Sequence, residues 1–104
     1  MGELDVETQE WLSGLRLGDR LQYYSDFENG YYMGMIFDRM SLARGRKFIN
    51  RKDMATRFQN FKNVRDLLME NFQVNFPIQN ILFNTASLLT TIRECCQDHS
   101  KRHK

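Results

Sequence analysis

The chain has 104 residues, 41% of them hydrophobic and 27% charged, with a net charge of +2, the composition of one ordinary globular domain with a single modest core. No run of about 18 apolar residues is present to span a membrane, and the acidic start MGELDVETQE lacks the apolar stretch of an export signal. The charge is uneven: residues 1–30 hold seven acids against two bases, residues 31–66 nine bases against three acids, and residues 67–104 are nearly balanced.

In chain order, Asp5 to Leu17 predicts a short first helix. Asp5 can cap it, Glu7 and Glu10 suit its positive end, and Trp11, Leu12 and Leu15 are its candidate buried residues. Leu17 to Asp38 then predicts a β-hairpin. Arg20 to Ser25 alternates Leu21, Tyr23 and Ser25 against Gln22 and Tyr24, and Asp26 to Gly30 supplies turn chemistry. Tyr31 to Phe37 is the return strand, with Tyr32, Gly34 and Ile36 on the core face and Tyr31, Met33, Met35 and Phe37 opposite. Arg39 to Gly45 reads as a loop, and Arg46 to Asn50, with Phe48 and Ile49, as a short third strand.

Asp53 or Asn50 can open a helix carrying Met54, Phe58 and Phe61, while Asn63, with Asp66 three residues on, is the stronger cap. Residues 53–71 are therefore expected to be helical with a break near Asn60 to Asn63. Pro77 suits the first turn of a last helix, in which Ile78, Ile81, Leu82, Leu89, Ile92 and Cys96 form an apolar stripe ending near Gln97. Residues 98–104 are expected to be a disordered basic tail. The whole reads as one α+β domain over 1–104: a short N-terminal helix, a small antiparallel sheet of two to three strands, and two to three C-terminal helices.

The hairpin carries Tyr23, Tyr24, Phe27, Tyr31 and Tyr32, five of the thirteen aromatic residues. Tyr24, Phe27 and Tyr31 fall near its turn, where three rings can form a cage for a methylated ammonium group, or can pack beneath the later helices. Leu17-Gly18-Asp19-Arg20-Leu21, Tyr23-Tyr24-Ser25, Gly30, Tyr31-Tyr32 and Gly34-Met35-Ile36 resemble the opening hairpin of Tudor and related chromo-like or Agenet modules. The resemblance covers residues 17–38 and implies a bent sheet, in full an SH3-like barrel, that reads modified lysine or arginine. On matching positions Tyr24 and Tyr31 would be the cage residues, with Phe27 added by its place in the turn.

A second cluster is basic: Arg44, Arg46, Lys47, Arg51, Lys52, Arg57, Lys62 and Arg65, interleaved with Phe48, Phe58 and Phe61. It can meet phosphates and bases, or simply form a solvated face around core phenylalanines. Cys95, His99 and His103 fall four apart on a helix, but the paired Cys and His loops of structural zinc sites are missing, so no metal or other cofactor is expected. Both histidines lie in the last six residues, and no nucleophile–base pair or glycine-rich phosphate loop occurs, so the chain is not expected to be an enzyme. Adjacent Cys95 and Cys96 offer no disulfide framework and point to a reducing, intracellular location, the nucleus ahead of the cytoplasm.

The expected function is non-catalytic protein recognition. Tyr24, Phe27 and Tyr31 would serve as apolar anchors, and Arg44, Arg46 and Lys47 would attract acidic groups. The alternatives are nucleic-acid binding through 44–65 and homodimerisation through the helix over 77–97.

Overall fold

The computed structural model describes residues 2–18, 20–77 and 85–102. Among them the fold is helical, which corrects the α+β expectation. Asp5 opens α1 (Val6–Leu15), its carboxylate accepting from the Thr8 N–H at 2.8 Å, and Arg16 ends it in the left-handed conformation. Leu12 is buried as expected; Trp11 and Leu15 are half-buried, and Thr8 joins the interior.

The first strand of the expected hairpin shrinks to one antiparallel bridge, Glu3 with Tyr23, flanked by Leu4 N–H to the Gln22 carbonyl at 2.8 Å. A 3₁₀ turn (Tyr24–Phe27) follows, held by the Asp26 carboxylate, which accepts from the N–H groups of Gln22 and Tyr23 at 3.0 Å each. Asn29-Gly30 is a helix start rather than a hairpin turn. Gly30 caps α2 (Tyr31–Arg39) with φ +79, and the Asn29 side chain accepts from the Tyr31 N–H. The buried residues of α2 are Met33, Gly34, Ile36 and Phe37, a 3.6-residue period where alternation was expected. The Tudor resemblance fails on this finding, because the segment that would return as a strand is a helix and no sheet exists among the described residues.

The expected third strand at 46–50 is a loop laid across α2. Phe48 stacks directly over Gly34, so closely that a Cβ there would collide with the ring. The loop is fastened by Asn60, whose side chain donates to the carbonyls of Asn29 and Ile49 at 2.8 Å each and accepts from the Ile49 N–H at 3.3 Å. Its carboxamide thereby occupies both backbone polar groups of one residue, Ile49, as a neighbouring strand would.

Asp53, not Asn63, caps α3 (Met54–Phe72), accepting from the Thr56 N–H and hydroxyl. The helix runs 19 residues with no break near Asn60 to Asn63. Asn60 does not interrupt it because its side chain bonds sideways to other segments instead of competing for the helix's own carbonyls. The last helix, α4 (Thr85–Arg102), continues through 98–102 past the expected end at Gln97, with Arg102 paired to Asp98 one turn back. The part of that expected helix from Ile78 to Phe83 lies outside the described residues.

α2 packs on α3, while α4 packs on the 3₁₀ turn and on α1. Phe27, Met33, Ile36, Phe37, Phe61, Val64, Leu67, Leu68, Leu88, Leu89 and Ile92 form the common core. Leu88, Leu89, Ile92 and Cys96 are thus enclosed within one chain, and Arg93, also buried, ties α4 to α1 through Glu7 at 2.8 Å. The described part of the stripe assigned to a possible dimer seam, Leu88 to Cys96, is taken up by the intramolecular core.

The caps make the helices acid-sensitive. Hydrogen bonds from Thr8 hold the Asp5 carboxyl below its ordinary pKa, and those from Thr56 do the same for Asp53. A lowered folded-state pKa means that the caps contribute fully above about pH 4, and their contribution fades as pH falls through the lower folded values. Helix content followed by circular dichroism should therefore hold above that pH and erode below it. Replacing both residues by Asn, which caps without titrating, should flatten the acid limb. An unchanged acid limb in the double variant would assign it to other groups.

Candidate interaction surface

The structure separates the six sequence-predicted site residues. Phe27 has no exposed surface and belongs to the core. Tyr24 is half-buried on the 3₁₀ turn and borders a small hollow with Gly2, Tyr23, Glu28 and Thr85. Tyr31 stands on the first turn of α2, edge-on to Tyr32 at 5.0 Å, and Tyr32 is edge-on to Phe27 at 6.3 Å. These rings form a series running into the interior, and with Phe27 enclosed the three predicted anchors do not surround an open turn.

The basic trio divides as well. Arg46 meets Glu70 of α3 with two parallel hydrogen bonds at 2.7 and 2.6 Å, and Arg44 reaches the same carboxylate at 3.5 Å. The paired hydrogen bonds raise the Arg46 pKa and lower that of Glu70. With Asn71 donating to the Leu42 carbonyl at 2.9 Å, this contact clamps the loop after α2 onto the C-terminal half of α3. Lys47 remains exposed, with no carboxylate at ion-pairing distance among the described residues.

Two other features stand out, and neither includes the six. The first is a cleft of 450 Å³ between the 3₁₀ turn and the start of α3, lined by Ser25, Asp26, Glu28, Asn29, Tyr32, Asn50, Lys52 and Arg57. Asn60 sets its width by holding the two sides together, and an Asn29–Asn50 side-chain hydrogen bond at 2.9 Å crosses it. One wall is acidic and the other basic. Most of its polar groups are already engaged: Asp26 holds the 3₁₀ turn, Asn29 caps α2, and Arg57 lies over the Phe61 ring at 5.9 Å. The cleft is a seam between segments.

The second feature is the outer shoulder of α3. At 100° per residue, Met54, Phe58, Lys62, Arg65 and Met69 fall within an arc of about 80° beside the buried stripe. Met54 is 63% exposed, Phe58 46% and Met69 43%. Lys62 is exposed, and among the described residues the one carboxylate at ion-pairing distance from Arg65 is that of its neighbour Asp66, at 3.3 Å. The sequence offers Phe58 and Phe61 as core phenylalanines of this helix; only Phe61 is buried. The signal that would have exposed this surface is width. Together with Val64, Leu67 and Leu68, these side chains cover more of the helix than one packing face requires.

The thiols of α4 are poorly suited to metal binding or nucleophilic chemistry. Burial, reinforced by Cys95, pushes the Cys96 thiol up to about 12, and burial raises Cys95 as well. His99 lies edge-on to Phe72 at 5.9 Å, and His103 is outside the described residues. Among the described residues no three His, Cys, Asp or Glu side chains come together as a metal site. Iodoacetamide at neutral pH should leave Cys96 unlabelled in the folded chain and modify it on unfolding. Rapid native labelling would show that α4 opens readily.

Among the described residues an apolar and basic shoulder of α3 stands open, and no family model, curated protein or solved structure matches the chain that carries it.

Proposed function

We propose that this chain is a non-catalytic protein-recognition module that offers the outer shoulder of α3 to an apolar segment of a partner protein. The observation that carries this reading is the exposure of Met54, Phe58 and Met69 along one side of a helix, beside its buried stripe. Large apolar side chains aligned on one element favour association. Phe58 is an aromatic anchor of the kind that dominates binding energy, and methionines adapt to the surface they meet. Lys62 and Arg65, between Phe58 and Met69 along the helix, supply positive charge that orients a partner.

Nucleic-acid binding by 44–65 draws weaker support. Of the eight cations there, Arg44, Arg46, Arg51 and Arg65 already face a carboxylate.

The test is selection from a displayed library of random peptides on the wild-type chain, followed by rebinding to Met54→Glu and Phe58→Glu variants. Met54→Glu should change stability by no more than about 0.5 kcal/mol, as surface substitutions do. Phe58→Glu should cost about 1 kcal/mol for the apolar area it gives up. Selected peptides should lose at least tenfold in affinity on both variants. Enrichment no better than on a bare support, or peptides that bind all three chains equally, would overturn the proposal.

A further inference from the structure

We infer that the segment recognised by the α3 shoulder is an acidic amphipathic helix. This rests on the recognition reading above and specifies its partner. Met54, Phe58 and Met69 stand at i, i+4 and i+15 on an unbroken helix. At 1.5 Å per residue they mark a straight track about 22 Å long, four turns of a second helix laid alongside.

The partner's backbone decides between helix and strand. Between its first and last turns the N–H and C=O groups of α3 are bonded within the helix, and the one strand-type pairing among the described residues, Glu3 with Tyr23, is elsewhere. An extended peptide on the shoulder would cover its own backbone polar groups against side chains that cannot pair with them. A helix arrives with those groups already satisfied, and can lay apolar anchors at helical spacing against Met54, Phe58 and Met69.

Charge then decides the partner's sign. The arc that holds the three apolar residues also holds Lys62 and Arg65 and contains no acid. Both cations fall between Phe58 and Met69, in the middle of the track. Among the described residues Lys62 has no carboxylate at ion-pairing distance and is the open charge of the pair, while the partly buried Arg65 already meets Asp66 at 3.3 Å and adds its remaining guanidinium donors. A helix with Glu or Asp in its central turn, between apolar anchors at either end, meets both requirements. A basic helix of the same shape would place like charges together and be rejected.

The experiment titrates the ¹⁵N-labelled full chain with three synthetic 18-residue peptides and one oligonucleotide. The first peptide has leucines at the anchor spacing and glutamates in the central turns. The second carries lysine for each glutamate, and the third is the first with two central prolines. The oligonucleotide is a mixed-sequence single strand.

The acidic helix should shift amides along 54–69 and bind at least tenfold more tightly than either other peptide. The charge-reversed variant Lys62→Glu/Arg65→Glu should turn the preference toward the lysine peptide, a readout that loss of folding cannot imitate. Equal binding of the acidic and lysine peptides, or of the helical and proline peptides, would overturn the inference, as would tighter binding of the oligonucleotide to the same residues.

The two proposals fail differently. Library-selected peptides that depend on Phe58 but are neutral, basic or non-helical would sink the acidic helix and leave the recognition module standing. Peptides that never depend on Phe58 would remove both.

Discussion

Replacing Asn60 by alanine should lower the stability of the fold by about 2–4 kcal/mol, the range for breaking a buried side-chain network. The residue is buried, and its carboxamide makes three hydrogen bonds that join the start of α2 to the loop before α3. Alanine would leave the Asn29 and Ile49 carbonyls and the Ile49 N–H without these partners. For a domain of this size the melting temperature should fall on the order of 10–25 °C.

Asn60→Asp should be at least as damaging at neutral pH. It keeps the acceptor for Ile49 but sets a carboxylate against two carbonyl oxygens that need a donor. Hydrogen exchange at the Ile49 amide gives a local readout and should accelerate in both variants. A loss below about 0.5 kcal/mol would show that Phe48 and the Arg46–Glu70 clamp hold the loop without Asn60.

Gly34→Ala tests the same junction from the other side, and the sign of the effect carries the information. In an unobstructed helix interior, Gly to Ala stabilises by about 1 kcal/mol. At Gly34 the added methyl would enter the space of the Phe48 ring, close to the root of that side chain, where rotation alone gives little relief. Overpacking of this kind costs about 1–3 kcal/mol, so the substitution should destabilise.

In a Phe48→Ala background the obstruction is gone and the same change should become stabilising. The reversal, read as a double-mutant cycle, isolates the contact from the propensity. Gly34→Ala that stabilises the wild-type chain would place Phe48 away from α2. Neighbouring Gly30 is constrained differently: its φ of +79 already disfavours a side chain, and a Cβ there would stand 2.9 Å from the Asn60 Cβ.

These two residues also explain what was legible and what was not. Helix ends chosen by local chemistry can be read directly. Asp5 caps α1, and Asp53, named as one opener among three, is the cap in use, because a side-chain oxygen reaching the N–H three residues on needs nothing from elsewhere in the chain. The apolar stripe of α4 at Leu89, Ile92 and Cys96 is equally local in origin, and all three are buried.

Leu17 to Asp38 was misread because a short apolar run supports both periods. Tyr32, Gly34 and Ile36 satisfy alternation, whereas Met33, Ile36 and Phe37 satisfy a helix. Aromatic content and an Asn-Gly pair tip such a run toward a hairpin. What settles it is contact from distant residues: α3 covers the helical face of α2, and Phe48 fills the notch left by Gly34.

The candidate site follows the same division. That residues 44–65 are rich in cations and phenylalanines is plain from composition. Which of them are spent internally is not, since Arg44 and Arg46 find Glu70 more than 20 residues away and Phe61 turns inward while Phe58 does not. The sequence by itself determined the cap of α1, the buried face of α4 at Leu89, Ile92 and Cys96 and the basic middle of the chain, all consequences of neighbours within a few turns; it left the α3 cap among Asn50, Asp53 and Asn63 and preferred Asn63. Only the tertiary structure decided that the aromatic stretch is helical, that Phe27 is core, and that Met54, Phe58 and Met69 stay exposed. Burial depends on which surfaces meet, and those meetings join residues far apart in the chain.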